Sequence, residues 1–323
     1  MAGIVFFGCT DTGWDCCQAL LDGGVPIAGI VTMPEEFRIS WAPGPVRNVR
    51  HRDLAPLARR HGVPVLDGTD AGRRPDFREA LRRLEPDLLV VVGWFHMIGR
   101  SLRAQARLGA VGVHASLLPK YRGGAPLVWA IINGERETGV SLFHFADGVD
   151  DGDIVAQARI PIGPDDTIAE VVARANVAAV GLAARHVPGI LAGTAPRMRQ
   201  AEAEATRVPQ RSPADGQFDW VALPSATVHN WVRAQTHPYP GAFTSVDGLA
   251  VRVWRTRLPR EFPETNRPGA HGAGAAGWRV WCGDARPLEF TEASIDGSPS
   301  MTGPALVEAM AAKLGTQAPT RTP

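Results

Sequence analysis

Residues 87–114 read DLLVVVGWFHMIGRSLRAQARLGAVGVH. After Asp87 the run to Val92 is apolar without interruption, the pattern of a strand buried on both faces. Ala110–His114 is a second short run, and it delivers an imidazole to its own end. Between them lies a glycine-led segment, Gly93–Met97. Two such runs in succession predict strands of a mainly parallel sheet, in which ligands bind at the carboxyl ends of the strands. His114 and Gly93–Met97 both stand at such ends.

The same rhythm extends to either side. Ile4–Phe7 predicts a first strand, followed by the turn GCTDTG (8–13) and helical spacing over Asp15–Asp22. Pro26–Val31 and Val63–Leu66 predict further strands. His51–Gly62 is amphipathic, with Gly62 as a stop signal. Asp76–Leu84 predicts a helix opened by an acidic residue. Val140–Phe145 and Ile154–Ile160 predict strands flanking the loop ADGVDDGD (146–153), and Thr167–Ala192 a long helix. The fold class is α/β, with a Rossmann-like, mainly parallel sheet in the N-terminal domain. The chain turns polar around Arg199–Arg207, where a domain boundary is expected. Beyond it, Ala242–Ser245, Leu249–Arg255 and Trp278–Cys282 predict a smaller β-rich domain, and Pro259–Ala276 reads as a mobile loop.

Composition agrees with this division. A chain of 323 residues suggests two domains. Hydrophobic content of 45% and charged content of 21% allow a sizeable core. The formal charge of +1 gives no general electrostatic case for nucleic acid or an anionic membrane. Four cysteines, Cys9, Cys16, Cys17 and Cys282, form no CxxC pair and read as reduced thiols of a cytoplasmic protein. The N-terminus lacks a signal-peptide pattern, and no run approaches a membrane span.

His114 is the first candidate for chemistry, against the plain alternative of a core histidine. The following loop carries Asp147, Asp150, Asp151 and Asp153. If Asp150 faces His114, its carboxylate favours the imidazolium and gives an acid poised near neutrality. The loop lacks calcium-loop spacing, and the histidines supply no ligand pair, so no metal is expected. GCTDTG is not GxGxxG, which leaves a nicotinamide oxidoreductase supported only by the rhythm of elements. Its amides can still hold an anionic group. No GxSxG elbow occurs.

The segment LGAVGVHASLLPKYRGGAPLVWAIINGERETGVSLFHFADGVDDGDIVAQ (108–157) resembles the folate-dependent formyltransferases. The family hallmark is N-x-H-x-S-LLP-x-x-RG, then W-x-x-x-x-G near a TGV strand, then a D-x-G loop. RSPADGQFDW (211–220) and VHNWVRAQTHPYPGAF (228–243) resemble the small C-terminal domain of the methionyl-tRNA and sugar formyltransferases, an OB-like open β-barrel. The resemblance implies a catalytic domain over 1–204 and the β domain over 205–305; the rest, 306–323, is expected from the sequence to be a tail, with Gln317–Pro323 disordered. It implies 10-formyltetrahydrofolate as co-substrate and His114 and Asp150 as catalytic residues. It implies that the pterin is held by Gly93, Trp94, Phe95, His96, Met97 and Ile98, and by Ala146, Asp147, Gly148, Val149 and Asp150. Gly8, Cys9, Thr10, Thr12, Ser116 and Arg122 are expected on the acceptor side.

One position departs from the pattern. Gly112 stands where the family has its catalytic asparagine. A lost oxyanion donor typically costs about 100–1,000-fold in rate. Either another group supplies the donor, His96 being the candidate, or Gly112 admits a bulkier acceptor, or activity is lost and the chain is a folate or nucleotide binder. For the acceptor, residues 207–323 carry 12 Lys/Arg against 10 Asp/Glu, a weak balance for gripping tRNA. The segment 34–52 holds Arg38, Arg47, Arg50 and Arg52 and reads as a surface loop or a flap over the acceptor. Trp41, Trp94 and Trp129 can stack or pack. The leading expectation is a small-molecule amine, such as an amino sugar nucleotide or a biosynthetic amine or hydroxylamine, with methionyl-tRNA as the alternative and no tRNA partner in the leading reading. A homodimer is compatible with the sequence.

Overall fold

Ile4–Phe7 forms β1, buried along its whole length as its apolar sequence requires. The computed structural model describes residues 3–39, 42–259, 261 and 266–315. After β1, the Thr10 hydroxyl accepts from the Gly13 amide at 3.1 Å and so caps α1 (Asp11–Asp22). There follow β2 (Ile27–Thr32), the hairpin β3 (Glu36–Arg38) and β4 (Pro45–Arg47), α2 (Ala55–Arg60), β5 (Val65–Asp67) and α3 (Pro75–Arg83). Next come β6 (Leu88–Val91), α4 (Arg100–Arg103), β7 (Ala110–His114), β8 (Arg122–Gly123), α5 (Pro126–Ile132), β9 (Glu137–His144), β10 (Ile154–Pro161) and α6 (Ile168–Leu191).

Seven strands make one sheet in the order β10-β9-β7-β6-β1-β2-β5. β5, β2, β1, β6 and β7 pair in parallel, while β9 runs antiparallel to β7. The ends of β1, β6 and β7 therefore lie along one edge of the sheet. On one face Val5, Phe7, Val31, Leu89 and Val91 pack with Phe77 and Leu81 of α3 and with Leu102 of α4. Each such burial contributes roughly 1.5–3 kcal/mol, which anchors the strands whose ends carry the site.

The remaining elements are β11 (Arg207–Val208), α7 (Ser225–Arg233), β12 (Ala242–Val246), β13 (Leu249–Arg257), β14 (His271–Ala273), β15 (Trp278–Trp281), β16 (Pro287–Ile295), β17 (Met301–Thr302) and α8 (Gly303–Leu314). β11 pairs with β8. The others form an antiparallel sheet, β12-β13-β16-β15-β14, with β17 on β16. Its core gathers Val232, Val253, Trp278, Val280, Leu288, Phe290 and Ile295.

The chain divides into two compact units. One is Met1–Pro126, Thr138–Pro161 and Ala173–Val208; the other is Leu127–Glu137, Ile162–Val172 and Pro209–Pro323. Three expectations are corrected. Residues 303–314, largely assigned to a tail, are helix α8, because Leu306, Val307, Met310 and Ala311 recur at helical spacing and are buried. The expected loop 259–276 contains β14, paired with β15. The helix expected over His51–Gly62 is confined to Ala55–Arg60, though Gly62 does sit at φ +65° as a stop residue would. Trp41 and Gln317–Pro323 lie outside the described residues.

All four cysteines are buried and unpaired. Among the described residues no helix is long and apolar enough to cross a membrane, and no cluster could hold a metal ion.

Candidate active site

His114 ends β7 and is 8% exposed. Its Nε2 lies 2.7 Å from the backbone carbonyl oxygen of Tyr121. A carbonyl only accepts, so Nε2 carries a proton and donates it. The nitrogen free to gain or lose a proton is Nδ1, which lies 3.5 Å from Oδ2 of Asp150. Asp150 is held in turn. Its Oδ2 accepts from the Gly123 amide at 2.9 Å, and its carbonyl accepts from Gln200 Nε2 at 2.8 Å. Asp150 and Tyr121 both adopt left-handed backbone, at φ +53° and +59°. Two strained residues thus aim a carboxylate and a carbonyl at opposite ends of one ring.

The loop to Asp150 reaches His114 by an unexpected route. β9 ends where Val111 pairs with His144, beside the start of β7, and the Phe145 amide donates to the Ala110 carbonyl at 2.8 Å. The chain then runs back along β7 to Asp150. Gly112 lies under this return. A Cβ built on Gly112 would stand 2.3 Å from Cε1 and 2.7 Å from Cζ of Phe145. The space beside Gly112 is therefore closed by an aromatic ring. This corrects the reading of Gly112 as room for a bulkier acceptor.

The two loops expected to hold the pterin flank this centre. Gly93, at φ +63°, brings its backbone against Thr10; a Cβ there would meet Thr10 Oγ1 at 1.8 Å. Its carbonyl accepts from the Cys9 amide at 3.2 Å. Trp94 packs edge-on against Phe7 at 5.4 Å. Phe95, Met97 and Val149 are exposed at 41%, 66% and 48%. Trp94 Nε1 and His96 Nε2 are buried with no hydrogen-bond partner among the described residues. Exposed apolar side chains beside ring nitrogens that lack a partner suit a planar, hydrogen-bonding ring system. Arg100 and Arg103 of α4 both pair with Asp147, tying the second loop to the end of the first. Ile98 is buried and its carbonyl accepts from Arg103 Nη1 at 2.9 Å.

His96, the candidate replacement donor, has its ring contacts with Phe37 at 5.7 Å and Trp94 at 6.1 Å, not with His114 or Asp150. Burial lowers its pKa. The structure does not bring it into the dyad.

Several other expected residues turn inward. The Ser116 hydroxyl donates to the Lys120 carbonyl at 2.6 Å, and Arg122, 1% exposed, binds Gln200 and Glu202. Thr10 is spent on its cap, and Thr12 Oγ1 accepts from Arg50 Nη2 at 2.8 Å. Gly8 is needed for close packing, since a Cβ would meet the Val92 carbonyl oxygen at 2.9 Å. The buried Cys9 thiol is pushed up to about 12 by burial. Trp129 is a packing residue: Arg211 lies over its ring at 4.6 Å. Sequence reasoning missed Tyr121, Gly123, Phe145 and Gln200. For Gly123 the RGG run was a signal; for Phe145 none was visible, because its partner is 33 positions away.

Residues 48–184 match the family described as formyl transferase, and residues 211–310 match its C-terminal domain. A methionyl-tRNA formyltransferase of Geobacter sulfurreducens is 33% identical over 303 residues, covering 92% of this chain and 91% of the relative. Among solved structures, an N-formyltransferase from Helicobacter canadensis, in complex with folinic acid and dTDP-3-aminofucose, superposes with a TM-score of 0.68 at 17% identity, covering 89% of this chain and 98% of that one. WlaRD, a sugar 3N-formyltransferase solved with dTDP and 5-N-formyl-THF, gives 0.65 at 16% identity, covering 92% and 99%. The expectation that tRNA is no partner is not borne out by relatives with such a name.

Proposed function

The chain belongs to the formyl transferase family, and from that premise we propose that it moves the formyl group of 10-formyltetrahydrofolate to an amine or hydroxylamine on a small molecule. The observation that carries the reading is the His114–Asp150 pair, with Nε2 committed to Tyr121 and Nδ1 left to exchange its proton. The bound folate supplies an electrophilic formyl carbon. As the amine nitrogen bonds to the formyl carbon, His114, protonated at Nδ1, would stabilise the negative charge on the formyl oxygen and then give that proton to the departing folate nitrogen as its bond to the formyl carbon breaks. Asp150 holds the imidazolium and accepts the proton released by the attacking amine. Phe143 and Phe145 keep the adjacent face of β7 apolar, which strengthens both interactions.

The acceptor reading rests on how the cations are used. Arg211 is enclosed by Trp129 and Trp231, and Arg233 is buried on the carbonyls of Gly163 and Asp166. Arg257 and Arg279 serve Glu289, Arg255 serves Glu292, and Lys313 serves Asp296. In the 34–52 segment Arg47 pairs with Glu35, Arg50 with Asp11 and Arg52 with Asp15. Cations already answered by carboxylates release few counterions on meeting a phosphate backbone.

A second reading, transfer to methionyl-tRNA, is favoured by the similarity to the methionyl-tRNA formyltransferase of Geobacter sulfurreducens. Assaying tetrahydrofolate release against a panel of small amines and against charged initiator tRNA separates the two. Turnover with a small amine and none with tRNA supports the first. The reverse pattern establishes the second, and folate binding without turnover on any acceptor overturns both.

A further inference from the structure

We propose that Gly112 and Phe145 are a matched pair that positions the His114–Asp150 dyad, with Phe145 as a positioning residue that only a glycine at 112 can admit. The inference rests on the formyl-transfer reading for its catalytic meaning, but its structural content stands on geometry alone.

Gly112 is not required by its backbone: it is absent from the residues at positive φ, and it lies within a regular strand. What requires it is contact. Phe145 Cε1 would be 2.3 Å from any Cβ, and the Val91 carbonyl oxygen 3.0 Å, so the ring lies against the bare strand. From there two connections lead to the dyad. The Phe145 ring packs on Phe143 at 5.2 Å, and Phe143 packs edge-on against the His114 imidazole at 6.5 Å and 80°. Along the backbone, Phe145 opens the loop that returns to Asp150. Through Phe143, the Phe145 ring thus braces the imidazole from the side, and Phe145 itself opens the segment that carries the carboxylate. Position 112 therefore adds no side chain to this face.

The cleanest test is a background-dependent cost. Gly→Ala at a negative-φ strand position ordinarily raises stability. Here Gly112→Ala lowers Tm clearly in the wild type and by much less in the Phe145→Ala background, where only the Val91 carbonyl oxygen, 3.0 Å from the new methyl, still crowds it. Equal effects of Gly112→Ala in both backgrounds overturn the pairing, as does a neutral or stabilising effect in the wild type. The positioning role is read separately, from the His114 tautomer seen by nitrogen-15 NMR on histidine-labelled protein, with His114→Gln used to assign the signal. Phe145→Ala lowers the share of the Nε2–H tautomer and lowers kcat by about tenfold to a hundredfold, and Phe145→Leu restores most of both. An unmoved His114 tautomer in Phe145→Ala reduces Phe145 to a packing residue and overturns the role. The melting and NMR measurements need no acceptor. Failure of wild-type turnover therefore counts against formyl transfer and leaves the pair to be judged on these results.

Discussion

The Tyr121 carbonyl oxygen fixes the tautomer of His114 by accepting from Nε2 at 2.7 Å. The neutral ring then carries its proton at Nε2, and Nδ1 faces Asp150. Nitrogen-15 shifts of the labelled ring should report the Nε2–H form at high pH. A predominant Nδ1–H form would contradict the arrangement.

Removing the imidazole tests the chemistry. His114→Ala should lower kcat by about 100- to 10,000-fold, the usual range for a general acid–base group. Folate affinity should change little, since none of the exposed apolar residues of the two loops is touched. A comparable loss of folate binding would move His114 from catalysis to recognition.

Asp150 can be neutralised without disturbing its backbone. Asparagine tolerates φ near +53° and keeps an oxygen for the Gly123 amide. Asp150→Asn should therefore melt close to wild type while kcat falls by about 100-fold or more. Asp150→Ala, which loses both the charge and the left-handed preference, should lose activity and also melt lower. Equal Tm for the two variants would show that the loop is indifferent to that conformation.

His144 sets an acid limit on the N-terminal unit. Burial, with Arg197 adding to it, lowers its pKa from 6.5 to about 4. The unfolded chain takes up this proton near 6.5 and the folded one only near 4, so stability falls as pH drops through that window. The loss is on the order of 3 kcal/mol when complete. Replacing His144 with Asn should flatten the stability profile between pH 4 and 6.5, as followed by urea unfolding.

Glu289 limits the C-terminal unit differently. It is 0% exposed, yet its carboxyl is held below the ordinary 4.5: burial opposes this, and hydrogen bonds from Arg279 and Arg257 outweigh burial. A depressed carboxyl contributes stability above its unfolded value and loses it as pH falls through the folded one, so this contribution fades only below 4.5. Glu289→Ala removes the shared partner of Arg257 and Arg279, whose own side chains are 52% and 27% exposed, and should cost about 1–3 kcal/mol at neutral pH. A far smaller loss would mean that water takes over the arginines.

Much of this was legible in the chain. The strands Ile4–Phe7 and Ala110–His114 appear with the limits their apolar runs set, because a strand buried on both faces leaves no polar residue to blur its ends. An imidazole at a strand end and a carboxylate-rich loop raised the pairing as a condition, and the family resemblance picked Asp150 from the four carboxylates of the loop. The strand Pro287–Ile295 was missed because Glu289 interrupts its apolar pattern at a buried position, a charge made tolerable only by partners from other strands. The purpose of Gly112 was invisible for a related reason: it is a contact with Phe145, and nothing local marks a glycine kept for a ring that arrives from another strand.

The four buried cysteines make the protein its own unfolding clock. Burial pushes the thiols of Cys9, Cys17 and Cys282 up to about 12 and raises that of Cys16 as well. A thiolate-seeking reagent at neutral pH meets almost none of its reactive form while the chain is closed. Labelling then proceeds only through opening, and mass spectrometry can tell the three N-terminal sulfurs from Cys282. The order in which they are tagged reads out which unit opens first, with no probe introduced.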